Sequence, residues 1–178
     1  MRRMYLRFGA MILTSIVVMY FVMFVGSWEI GHVRFSESRV FMAITMGGTM
    51  VIVMLAWMLN MYRNTKVNVA IIAVGLLLIG GGITLDRSQV TVDDTAYMNA
   101  MIPHHSLAIT RSERAGIEDL RVCELAAEIS AAQRNEILEM EWLIRDIEQH
   151  GIVTTTEEAE DRAAPAFDEA AERECSAG

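Results

Sequence analysis

The pattern of apolar and polar positions divides the chain near its middle. Residues 8–26, 40–59 and 67–85 contain no charged side chain, and each stretch approaches the roughly 20 apolar residues that cross a hydrocarbon core. They predict three membrane-spanning helices. Beyond residue 85 the apolar positions become periodic. Val122, Ala126, Ile129, Gln133, Glu136, Met140, Leu143 and Ile147 step by three or four, as one face of an amphipathic helix does. Met98, Met101, His105, Ala108 and Ser112 follow the same rule before them. With Asp93 and Asp94 as candidate N-caps and Gly116 and Gly151 as stops, one helix is expected over residues 95–114 and a second over 119–150. Pro103 removes a backbone hydrogen bond and should kink or loosen the first of them. The expected fold class is all-α: a three-helix transmembrane domain (1–88), a two-helix domain (89–151) and an acidic, loosely ordered tail (152–178).

Charge orients this arrangement. Up to Leu85 there are seven basic and two acidic residues, and from Asp86 onward eight basic and 21 acidic. Arg2, Arg3 and Arg7 share a side with Arg63 and Lys66, whereas the loop between the first two spans offers only Arg34 and Arg39. The positive-inside rule therefore places the N-terminus in the cytoplasm and the acidic half outside. In a bacterium that means the inner (plasma) membrane, with a periplasmic or extracellular domain. The first span is too long for a signal-peptide core and lacks a cleavage pattern, so it is read as retained. The acidic half repels phosphate backbones, which argues against nucleic acid as a partner. Two helices cannot enclose a core, and a homodimer or higher homo-oligomer, pairing two hairpins into a four-helix bundle, is the economical expectation.

Candidate chemistry lies in the 14 methionines and four histidines. Met42, Met46, Met50, Met54 and Met58 recur every four residues along the second span, which puts five thioethers on one slowly drifting face. Such a stripe reads either as packing in a helical bundle or as a soft-metal face, since thioether sulfur suits Cu(I). Outside the membrane, Met98, Met101, His104 and His105 lie on the first helix, and Gln133, Glu136 and Met140 on the second. In an antiparallel hairpin the two sets fall at similar depth, making a Met/His/Glu cluster the best candidate site. Each member also has a plainer reading: His104 as a surface residue, Glu136 as a partner of Arg111 or Arg114, Met101 and Met140 as core. Cys123 and Cys175 both fall outside, where a disulfide is permitted.

The Met-Ile-Pro-His-His run of residues 101–105, its flanks from Tyr97 to Ile109, and the Gln-x-x-Glu-Ile-x-x-Met run of residues 133–140 resemble the Domain of Unknown Function 305 family. This is a ferritin-like helical group associated with copper binding and copper resistance. The membrane half, with its Met-rich second span and the segment from His32 to Arg39, looks like the membrane-anchored branch of that group. The resemblance implies copper, with Cu(I) favoured over Cu(II), and Met101, His104, His105 and Met140 as ligands. Many members carry a methionine one turn after the paired histidines, where this chain has Arg111. The expected function is thus copper binding for handling or tolerance, without turnover. A di-metal oxidase is disfavoured because no Glu-x-x-His pair occurs. A structural or signalling anchor whose hairpin binds a protein partner is the remaining alternative.

Overall fold

The computed structural model describes residues 2–175, and among them six α-helices and no strand occur. The chain forms two compact units, one from the residues up to Val25 together with Ser36–Val92, the other from Gly26–Phe35 together with the chain from Asp93 onward.

The first unit holds α1 (Arg2–Val22), α2 (Glu37–Trp57) and α3 (Thr65–Ser88), each long and apolar enough to cross a membrane. Ser36 and Asn64 cap the last two by accepting the backbone N–H three residues on. The first helix starts and ends earlier than the apolar run suggests. Residues 23–26 leave it through turn hydrogen bonds such as Phe24 N–H to Phe21 O at 3.1 Å. The α2 helix packs against both neighbours. Toward α1, Phe8, Ile12, Val51, Leu55 and Tyr62 are buried together. Toward α3, the helices approach through glycine: a Cβ on Gly48 would stand 2.7 Å from the Gly75 carbonyl oxygen, and one on Gly82 2.9 Å from that of Phe41. A Cβ on Gly80 or Gly81 would meet nothing within 4 Å.

The second unit is built on α4 (Asp94–Arg114) and α5 (Leu120–His150). Asp93 caps α4 by accepting Ala96 N–H at 2.7 Å, and the helix runs unbroken through the buried Pro103. Met98, Ile102, Ile109, Ile137, Met140 and Ile144 form the core between the two helices. Two segments that local sequence reads as loop or tail join this helix pair, the first packing Trp28 on the core. Residues 26–35 contain a single 3-10 turn at Ile30–His32 and belong to this unit although they separate α1 from α2 in the chain.

The segment after Gly151 corrects the expectation of a loosely ordered tail. It forms α6 (Thr156–Asp161) and then follows the helix pair, because specific groups tie it down. Arg162 pairs with Asp146, Asn135 exchanges hydrogen bonds with the Glu169 backbone at 2.7 and 3.2 Å, and Cys175 is disulfide-bonded to Cys123. Arg173 donates to the carbonyls of Ser112, Glu113 and Ala115, acceptors that the end of α4 leaves without helical partners.

Candidate metal centre

The three-and-four spacing of α4 brings Met98, Met101 and His105 to the side that meets α5, and the same spacing on α5 brings Glu136 and Met140 to α4. Met98 and Met140 are buried in the core, and Met101 packs against it partly exposed. One helical turn away, His105 Nδ1 lies 2.9 Å from Glu136 Oε2. The pair does not meet hydrogen-bond geometry, so Nδ1 is buried without a hydrogen-bond partner. Gln133 Nε2 donates to the same carboxylate oxygen at 2.9 Å, which fixes Glu136 beside the imidazole. Burial pushes the His105 imidazole toward its neutral form. The neighbouring Glu136 carboxylate opposes that shift without reversing it. A neutral imidazole is the form that ligates metal.

Three thioethers therefore share the α4–α5 core, with His105 one turn along α4 from Met101 and Glu136 one turn along α5 from Met140. His104 stands apart: it is exposed, its ring centroid is 5.8 Å from that of His105, and the two planes differ by 61°. Glu136 pairs with His105 and not with Arg111 or Arg114. No group of three or more His, Cys, Asp or Glu side chains with metal-holding geometry occurs among the described residues. A three-ligand set drawn from this chain's side chains at this place would then need a methionine sulfur or the Gln133 amide oxygen beside His105 and Glu136.

The candidate stripe in α2 is divided by its surroundings. Met42 and Met46 are exposed, while Met50, Met54 and Met58 pack against the α1–α2 cluster around Leu55.

Sequence reading gave no role to the groups that brace α4 from behind. Ser106, fully buried, accepts Trp28 N–H at 2.7 Å and stands 2.9 Å from His32 Nδ1. The Trp28 ring packs on the core with the guanidinium groups of Arg114 and Arg134 each 5.2 Å from its centroid. Arg34 reaches Glu141 at 2.6 Å. Trp28 beside a span end reads from sequence as an interfacial ring, and nothing local in the chain pairs it with residues 78 positions away.

Comparison with known proteins places the chain among relatives of undetermined role. The model of a family described as a domain of unknown function, DUF305, matches residues 94–175, from the first residue of α4 to the disulfide cysteine. An uncharacterised protein of Acanthamoeba polyphaga mimivirus is 34% identical over 118 residues, covering 65% of this chain and 76% of that protein. That stretch is longer than the matched domain, so the likeness reaches back before α4. No solved structure matches. On the domain match and this relative together, the chain belongs to the DUF305 family.

Proposed function

We propose that the protein is a membrane-anchored copper-binding protein that holds Cu(I) between α4 and α5 and serves copper handling or tolerance at the outer face of a bacterial inner membrane. The observation that carries this reading is the placement, on two facing helices, of Met98, Met101 and Met140 at one core and of His105 against Glu136 beside it. Thioether and imidazole donors together suit Cu(I), and sulfur as thioether survives where a thiolate would oxidise. The donor set fits the ion. Met101, Met140 and His105 would hold it, with Met98 in the same core. The buried Nδ1 of His105 makes no hydrogen bond and faces only the Glu136 carboxylate at 2.9 Å. Glu136 balances charge, and Gln133 holds Glu136 in place. The two helices form a ferritin-like hairpin, half of a four-helix bundle. The orientation, N-terminus in the cytoplasm, is supported by the basic residues that flank α1 and the α2–α3 connection.

Elemental analysis of the full chain, purified in detergent and incubated in turn with Cu(I), Cu(II), Zn(II) and Fe(II), tests the reading. Copper is expected to be retained most strongly from Cu(I), and lost in Met101→Leu and in His105→Ala. Retention of no metal by the native chain, or copper retention indifferent to both substitutions, would overturn it and favour an anchor that binds a protein partner.

A further inference from the structure

The α4–α5 pair presents two unlike faces. One is covered by the chain itself, through Trp28 and His32 at Ser106, Arg34 at Glu141, and Glu172 and Arg173 at Glu113. The other is bare. It carries the edge of the candidate centre at Met101, His105 and Glu136, and it continues along α5 as Ile129, Leu125 and Val122, which are 39%, 53% and 48% exposed. Steps of four and three place these residues on one side of the helix, so the apolar strip and the centre form one continuous surface. A contiguous apolar strip of this kind marks a contact surface.

The borders of the strip identify its occupant. On the α5 border stand Glu124 and Glu128, and on the α4 border Arg111. All three are exposed, and none is ion-paired within its own chain among the described residues. The contacts Glu113 with Ser130 and His105 with Glu136 fix the register, in which Arg111 is level with Ala132 and within about one turn of Glu128. A two-fold axis parallel to the helices lays α5 of each copy over α4 of the other at the same level. The acidic border of each copy then meets the basic border of the other, as an isologous contact requires. The same operation brings the exposed imidazole on the α4 border to the level of Glu136.

We infer that a second copy of this chain covers the bare face and that the metal centre is completed across the interface, with the partner's His104 joining Met101, Met140 and His105. The inference rests on the copper reading for the ligand and on the bare face for the occupant. It accounts for a histidine that turns away from its own chain's cluster.

The test uses the full chain in mild detergent. The described cysteines are all in the disulfide, so a chain carrying Arg111→Cys and Ala132→Cys should form an intermolecular disulfide on mild oxidation, whereas either substitution alone should not. Glu128→Arg should weaken dimerisation at least tenfold, and adding Arg111→Glu should restore it. His104→Ala should lower Cu(I) affinity at least tenfold while leaving the cross-link intact. A native chain that binds Cu(I) as a monomer, the absence of the cross-link in the paired-cysteine chain, or Cu(I) affinity unchanged by His104→Ala overturns the inference. A cross-link in the paired-cysteine chain, together with a native chain that retains no Cu(I), supports the interface and overturns the copper reading, so the two failures are distinguishable.

Discussion

In α2 methionine recurs every fourth residue, whereas in α4 and α5 it does not, yet the irregular set is the one that converges. The five α2 sulfurs are spread along about 24 Å of helix axis, two of them exposed and three laid against Leu55 and its neighbours. Met98, Met101 and Met140 come from two helices and share one core, and Met101 and Met140 stand one helical turn from His105 and Glu136 respectively. Even spacing on one helix specifies a face. A site for one ion needs donors from at least two elements, and their register is set by the fold.

The two units are also held differently, and the largest expected effect follows from that. Helices α2 and α3 meet through glycine, while α4 and α5 are joined by polar links from Arg134 and Ser130 to Glu113, and a disulfide spanning 52 residues ties the C-terminal segment to α5. Replacing both cysteines by serine should remove about 4 kcal/mol from the second unit, the loop-closure value for a loop of this length. Calorimetry in detergent should show the transition of that unit falling while the membrane helices keep theirs. An unshifted transition would mean that the polar links alone hold the C-terminal segment. In the other unit Gly48→Leu should separate α2 from α3, costing about 1–3 kcal/mol as an overpacked contact, and leave Cu(I) binding unchanged. Detergent-titrated unfolding reads the first effect, and a metal titration the second.

The methionine contrast itself is sharpened by volume-conserving exchange. Met101→Leu and Met140→Leu should each weaken Cu(I) binding about tenfold, some 1.4 kcal/mol, with little loss of stability. Met50→Leu and Met54→Leu should change it less than twofold, as measured by competition with a Cu(I) chelator. Equal losses from both pairs would make the α2 stripe part of the binding path and erase the difference drawn here.

Much of this was legible in the sequence because it is local. Uncharged runs of about 20 residues define membrane helices, the three-and-four spacing defines the inner sides of α4 and α5, and Asp93 and Gly151 mark helix ends by their own chemistry. What stayed hidden is pairing at a distance. Nothing near residue 28 announces Ser106 as its partner, and nothing in an acidic tail announces that Arg173 will seek the free carbonyls at the end of α4. His104 and His105 are adjacent in sequence and read as one pair. The roughly 100° step of the helix separates them, putting one against Glu136 and the other in solvent.

The smallest expected effect concerns the docking of the C-terminal segment and its dependence on pH. Asp146 lies below the ordinary aspartate range because Arg162 hydrogen-bonds and pairs with it, and His150 adds to the shift. Glu113 moves the same way: burial alone would raise it, but Ser130, the Glu172 N–H and Arg134 together outweigh that. A carboxylate depressed in the folded state stabilises fully above its unfolded value and loses that contribution as pH falls through the folded one. Docking of residues 156–175 should therefore be complete at neutral pH and loosen only below the usual carboxylate range. Hydrogen exchange of α6, followed as pH is lowered, should show this loosening in the native chain. In Asp146→Asn the charge pair with Arg162 is absent at every pH, so exchange in α6 should be faster throughout, and the acid-dependent part that remains should come from Glu113. A native chain whose α6 protection stays flat as pH falls well below the usual carboxylate range would show that the disulfide holds the segment without help from these charges.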